Sequence, residues 1–329
     1  MSIDVAPTGE LPQPSGPRML GRVRVFGGGL RELWSDKAGT FGAVLVLIIV
    51  VVALLAPLIA PHNPSAQTLA GRLDPPFWYP EGSTTHLLGT DHLGRDVLSR
   101  IIYGARTSIT IGTLVVLMAG TFGTMMGLFA GYNGGRIDGI IMRIVDTQLA
   151  FPGLLLALII ITTLGASFTL LVIILAIDGW MVYARMTRGV VLSARERPYV
   201  EAAEMVGCRP RRIIFKHILP NLLSPLITIA ILEFARVVIA EAALSFIGLG
   251  IQPPQISWGL DVTAGRNYVF NAWWLVTFPG IAIALTVLGL NLVASWLRIF
   301  SDPREREKRF AASMGRRGLF SLKRRHKTA

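Results

Sequence analysis

Among the ionisable side chains inside otherwise apolar stretches of the sequence, four stand out: Asp178, Glu233, Arg236 and Glu241. An isolated charge at the bilayer centre costs about 2.5–3.5 kcal/mol on insertion scales, so such groups must pair or face water. Two kinds of chemistry are open to them. They can line a polar path that transiently satisfies the charged ends of a passing molecule. Alternatively, Arg236 locks to Glu233, three residues before it on a neighbouring helical face, or to Asp178. Exchanging the charges at 178 and 236 would separate a lock from a substrate contact. Glu241 lies nearly a membrane thickness into its segment and is expected near the outer mouth, as a gate or cap residue.

Other chemistry is poorly supported. His62, His86, His92 and Asp91 could be imagined as a metal set, but no pair has the i,i+4 spacing of a helical zinc motif. An ordered turn is the better reading of this stretch. No Gly-x-x-x-x-Gly-Lys-Ser/Thr occurs, and no Gly-Lys pair exists at all, so the chain carries no Walker-type ATP site. No catalytic constellation and no cofactor site is expected. The one cysteine, Cys208, cannot form an internal disulfide.

A short polar island, running from Tyr199 to Asn221, has a different character. Pro198 suits a helix's first turn, where its missing N–H is no loss. Glu201 and Glu204 follow near that N-terminus, where the helix dipole favours negative charge. Ala202 and Ala203 offer almost no side chain, so another surface can approach closely. Gly207 is a helix stop, Arg209 and Arg211 form a basic flank, and Pro210 can begin a second helix. The pattern suits a small exposed helix that docks to something else.

The elements that position these groups are membrane spans. The 329 residues are 52% hydrophobic and only 16% charged, with a mean hydropathy of +0.55; soluble domains run near ~25% charged. Apolar blocks over 41–60, 108–130, 140–164, 168–186, 222–249 and 274–300 predict an all-α fold of six transmembrane helices. Residues 1–37 read as a tail and surface elbow, 38–303 as the membrane domain, and 304–329 as a basic tail. Within the domain, 61–105 is expected as an extracytoplasmic loop and 190–220 as a cytoplasmic one. The glycines at 123 and 127 form a G-x-x-x-G pair, which permits close helix contact in lipid.

The net charge of +12 is explained by topology. Only Arg72, Arg95, Arg100, Arg106 and Arg266 fall on the side opposite the island. That asymmetry puts both termini and the island in the cytoplasm, with the basic tail on anionic lipid and no role for nucleic acid. Trp258, Trp273 and Trp274 are expected in an interfacial aromatic belt more than in contact with a partner.

Glu201-Ala202-Ala203, three residues, Gly207, and then Leu219-Pro220 resemble the EAA loop of bacterial ABC-importer permeases. One departure stands at His217, where the motif has an apolar residue and this chain places Ile218 one position later. The resemblance extends to His86-Leu87-Leu88-Gly89-Thr90-Asp91, Gly94-Arg95-Asp96, Gly104-Ala105-Arg106-Thr107-Ser108, Ala150-Phe151-Pro152-Gly153, the run Glu241 to Gly250, and Phe278-Pro279-Gly280. Over about 38–303 the chain is similar to dipeptide and oligopeptide permeases of the DppC/OppC type. The resemblance implies the type I importer permease fold in the inner membrane. It implies ATP and Mg on partner ATPase subunits, either two chains or one fused chain. It further implies a homologous second permease subunit and an extracytoplasmic solute-binding protein. Glu201, Ala202, Ala203, Gly207, Arg209 and Arg211 would form the ATPase contact. A permease for nickel or another small solute is the alternative within this class. An ATP-independent secondary transporter, which would not need the island, is the alternative outside it.

Overall fold

The computed structural model describes Leu33 and residues 36–301. The expected basic tail and most of the N-terminal tail and elbow lie outside the described residues. Among the described residues, ten helices follow in order, besides two short 3-10 turns at Leu69–Gly71 and Arg266–Tyr268: α1 Lys37–Leu54, α2 Ala56–Ile59, α3 Val97–Asn133, α4 Gly135–Leu149, α5 Gly153–Leu164, α6 Phe168–Arg195, α7 Pro198–Met205, α8 Pro210–Phe246, α9 Trp258–Gly265 and α10 Trp274–Ser301. Among the same residues the only β pairing is one isolated bridge between Thr90 and Asp96. The all-α expectation therefore stands.

Five helices, α1, α3, α6, α8 and α10, are long and apolar enough to cross a membrane. The third expected span is not one straight helix. The block expected as one helix over 140–164 is α4 and α5, bent by 82° at the break. Pro152 occupies the N-cap of α5 in an extended conformation, and a residue preceding proline is itself pushed away from the α region. At 1.5 Å per residue, the 12 residues of α5 rise only about 18 Å, short of a ~30 Å hydrocarbon core. A sixth crossing exists only if the bent pair acts as one span.

Within the stretch expected as the first loop, helical structure is already present. Helix α3 begins at Val97, where Asp96 caps it by accepting a hydrogen bond from the Ser99 backbone N–H at 2.8 Å. Its first turns carry Ser99 and Arg100, both buried. A helix start that buries polar side chains is invisible to hydropathy.

Helices α3 and α6 form the most extensive pairing among the described residues. Glycines on α3 bring the two backbones together: a Cβ at Gly123 would lie 2.2 Å from the Trp180 carbonyl oxygen, and one at Gly127 2.5 Å from that of Ala184. The G-x-x-x-G expectation is thus met against α6. At Gly189, further along α6, an added methyl would have nothing within 4 Å. Gly123→Val should therefore cost about 1–3 kcal/mol through overpacking and lower the monodisperse yield on size exclusion several-fold, while Gly189→Ala leaves it unchanged.

The remaining spans wrap this pair. Helix α1 packs along α10, with Gly39 against Trp296 and Gly42 against Leu292. Helix α8 lies against α3, α6 and α10. At the end of the bundle remote from α7, the segment 61–96 and helix α9 form a cap, whose buried residues include Thr90, Asp91, Asp96 and Trp258.

Candidate coupling site and intramembrane charge cluster

Helix α7 is built to project. Val200, fully buried, is its one buried residue, and Glu201, Ala202 and Glu204 are exposed. Ala203 departs from its expected role as an outward surface: it is half-buried and packs inward. Beyond it Met205 is 90% and Val206 84% exposed. The helix thus ends in two large apolar side chains held out from the bundle. Among the described residues Glu201, Arg209 and Arg211 make no ion pair with this chain, so their charges are available outward.

The turn after α7 is a Schellman motif. The Cys208 N–H donates to the Ala203 carbonyl at 3.0 Å and the Gly207 N–H to that of Glu204 at 2.9 Å. Gly207 sits at φ +77°, and a Cβ added there would have nothing within 4 Å. Glycine is required here by backbone conformation and not by space.

The shift at His217 also has a physical account. Helix α8 opens as a π-helix over Ile213–Ile218. Its wider turn takes up an extra residue. Ile213 and Ile218 are both buried, while His217 is only partly so. The apolar residue thus reaches the core one position late. These isoleucines join Val200, Leu128 of α3, Val191 and Ala194 of α6, and Leu222 in one cluster. The loop therefore bears on three spans, not only on the two that flank it. The Asn221 side chain adds a link to the Tyr199 hydroxyl at 3.2 Å. Arg195 of α6 donates to the Tyr132 carbonyl of α3 at 3.0 Å.

One tie, between α6 and α4, is not foreseen from the sequence. Arg188 pairs with Asp138 through two hydrogen bonds, and Arg185 pairs with Asp146. The acid–base spacing along the chain, about fifty residues for the first pair, carries no local signal.

Of the four intramembrane charges, three meet. Arg236 of α8 pairs with Asp178 of α6 and donates from Nε to Glu233 at 2.8 Å. Two carboxylates thus face one guanidinium. Glycines make room: a Cβ at Gly153 would collide with the Asp178 carboxylate, and one at Gly179 would lie 3.3 Å from Arg236 Nη2. Gly153 begins α5, so the Asp178 carboxylate sits by a helix N-terminus, where the dipole favours it. The bend thus places the start of α5 beside the ion pair.

Glu241 does not join them. It is 1% exposed, accepts a hydrogen bond from Ser245 at 2.7 Å, and lies on the stretch of α8 packed against α9. Of the two expected places, gate or cap, the structure puts it under the cap: α9 lies directly on this stretch, with a Cβ at Gly259 only 2.6 Å from Ala242 Cα. Two of the three tryptophans are corrected too, while Trp273 stays exposed. Trp258 and Trp274 are buried, with Trp258 Nε1 donating to the Ile101 carbonyl at 2.8 Å; they pack the cap instead of forming a belt.

Residues 123–307 match the family model "Binding-protein-dependent transport system inner membrane component". The chain belongs to that family. Residues 27–76 of the permease also match the N-terminal TM domain of oligopeptide transport permease C. Among its relatives, the permease is 42% identical to a di/tripeptide transport system permease protein of Pseudomonas aeruginosa, over 85% of this chain and 94% of that one. It is 44% identical to the dipeptide transport system permease protein of Escherichia coli K12, over 84% and 93%. It is 38% identical to the corresponding protein of Haemophilus influenzae, over 84% and 95%. The permease is a multi-pass inner-membrane component of a transport system, not an enzyme, which gives the projecting helix and the paired intramembrane charges a common setting.

The cap of the permease holds its own ion pairs. Arg95 donates to Asp91 at 2.6 Å and Arg100 to Asp261 at 2.7 Å, joining the start of α3 to α9. Within it, His92 stacks on Tyr268 with ring centroids 5.7 Å apart. Burial, aided by Arg95, Arg100 and Arg72 against the pull of Asp91, lowers the His92 pKa from 6.5. The unfolded chain then binds the proton more readily, so stability is present above about pH 6.5 and falls as the pH drops towards the folded value. Thermal unfolding between pH 7.5 and 5 should show this loss, and His92→Gln should flatten it.

Proposed function

We propose that this permease forms half of the translocation path of an ATP-driven importer of short peptides, and that α7 is the point where an ATPase subunit drives it. The observation that carries the reading is the projecting helix: polar and apolar groups exposed together, rooted by Val200 in a cluster that touches α3, α6 and α8. A rigid tilt of α7 would be passed to all three spans at once, because packed cores move as units. ATP and Mg belong to the partner ATPase, present as two chains or one fused chain. A homologous second permease completes the path, and a solute-binding protein delivers the peptide at the cap. The relatives are named for peptides, which favours peptides over nickel or another small solute as the cargo.

In this reading Glu201 anchors the docked helix, Ala202 sets the close approach, and Arg209 and Arg211 flank the contact. Asp178, Arg236 and Glu233 form a lock between α6 and α8 beside the path. Both termini and α7 face the cytoplasm, as the distribution of arginine and lysine supports. Cys208, the single cysteine, lies in the coupling loop and is partly exposed. An impermeant maleimide should label it in inside-out vesicles and not in right-side-out ones; the reverse pattern would overturn the orientation. The decisive experiment reconstitutes the chain with its sister permease, ATPase and binding protein in liposomes and follows a labelled dipeptide. Uptake that needs all components and ATP is expected. Uptake by this chain alone, without ATP, would instead indicate a secondary transporter.

A further inference from the structure

The cap brings together three ligand groups from separate segments. His62 follows α2, His86 lies in the first loop, and Asp96 is the N-cap of α3. Their ligating atoms all lie within 4.8 Å of one another. His86 Nδ1 is 3.0 Å from Asp96 Oδ1, His62 Nδ1 is 3.8 Å from Asp96 Oδ2, and the two imidazole centroids are 4.7 Å apart. This is not the set the sequence suggested: His92 stacks on Tyr268, and Asp91 is taken by Arg95.

A single hydrogen bond explains His86 but not His62. The Nδ1 of His62 is sealed from solvent and has no hydrogen-bond partner, although it faces a carboxylate. A buried polar nitrogen left unpaired costs about 1–3 kcal/mol. Its position is not accidental, because the His62 backbone N–H donates to the Ser99 hydroxyl at 3.1 Å, one turn into the helix that Asp96 caps. The Ser99 backbone and hydroxyl hold Asp96 Oδ2 at 2.8 and 2.6 Å, which fixes the carboxylate as the hydrogen bonds behind a metal ligand do.

We propose that His62, His86 and Asp96 bind a divalent first-row transition metal ion, of which zinc is the best match. Two imidazole nitrogens and one carboxylate oxygen form a ligand set that suits zinc and leaves a fourth position for water. Bonds of about 2.0–2.2 Å put ligand atoms about 3.4 Å apart, so the His62 ring would close in by about 1 Å. His62 also lines an open cavity of about 690 Å³ with Asn63, Ser65 and Gln255, so its ring borders solvent-accessible space although its Nδ1 does not. Arg106 shares the wall of that cavity, so the cation is held by direct coordination and not by a general negative field. Once bound, the ion pins the end of the first span, the loop and the start of α3 to one another, at the end of the molecule remote from α7.

The test uses the full-length, chelator-treated chain in lipid nanodiscs at pH 7.5, purified without a histidine tag. Zinc chloride is titrated, and cobalt(II) serves as a visible-absorbing probe. The wild type should bind one ion per chain, with the ligand-field spectrum of a four-coordinate site and a rise in Tm that depends on zinc concentration. His62→Phe keeps the ring contact with His86 and removes no hydrogen bond of the side chain, so it should fold; it should bind at least about tenfold more weakly and lose the Tm shift. His86→Asn should behave alike, and His92→Asn should bind as the wild type does. Absence of saturable binding in the wild type would overturn the proposal. So would equal affinity in His62→Phe, which would place the ion elsewhere.

Discussion

Replacing Gly207 with aspartate leaves the chain in the membrane at normal levels and lowers ATP-driven uptake about five- to thirty-fold. The residue's φ of +77° lies in the left-handed region, where a non-glycine residue costs roughly 1–2 kcal/mol. Asparagine and aspartate tolerate that region better than other side chains. Aspartate, however, adds a negative charge at the C-terminal end of α7, where the dipole opposes it, on a surface already carrying Glu201 and Glu204. A local loss of 1–2 kcal/mol is a factor of about 5–30 in the population of the docking conformation. Since a Cβ at this position would meet nothing within 4 Å, no clash propagates into the bundle, and the fold survives. Gly207→Asn, which tolerates the same backbone without the charge, should retain most uptake. Glu201→Lys should match Gly207→Asp, because the exposed carboxylate makes no ion pair in this chain and loses only a partner's contact. Quantitative immunoblots of membranes beside labelled-dipeptide uptake check the set; normal uptake in both Gly207→Asp and Glu201→Lys would refute the docking role.

Removing Arg236 should be the most damaging single change in the charge cluster. Arg236→Met strands two carboxylates, Asp178 and Glu233, whereas Asp178→Asn leaves the guanidinium with Glu233. Breaking a fully buried pair costs about 3–5 kcal/mol. Arg236 is 36% exposed, so screening reduces the figure here to roughly 1–3 kcal/mol. The neutral triple variant, Asp178→Asn with Glu233→Gln and Arg236→Met, should regain most of the stability lost in Arg236→Met, since no charge is left unpaired. Thermal unfolding in nanodiscs measures that order. Uptake then separates two roles: a lock recovers activity in the triple variant, and a substrate contact does not. Exchanging the charges, which the sequence alone recommends, is a poor test. The Asp178 carboxylate is lodged against Gly153, and an arginine has no room there.

Much of the coupling loop was legible because its determinants are contiguous. Pro198, the acidic first turn, Gly207 and Pro210 act through local backbone chemistry, and the Schellman turn spans only residues 203–208. The spans were legible for a related reason: a long apolar run must be a helix in lipid, whatever its neighbours. The boundaries were less so. Helix α3 starts within the expected loop because Asp96 caps a polar turn that the cap buries, and hydropathy registers burial in lipid but not in protein.

Runs of neighbouring residues were enough to show an all-α membrane chain with no Walker site, its spans interrupted by a short polar helix. They were not enough to show that Arg236 takes both Asp178 and Glu233, that Glu241 and Trp258 lie buried at the cap, or that the third span breaks by 82° beside Gly153. Nor could they show that His62 and His86, and not His92, share a carboxylate. Most of these pairings join residues tens of positions apart. Which of several acids or imidazoles meets a given partner depends on how helices pack, and packing is set by close contacts such as Gly123 on Trp180 that no short stretch of sequence contains.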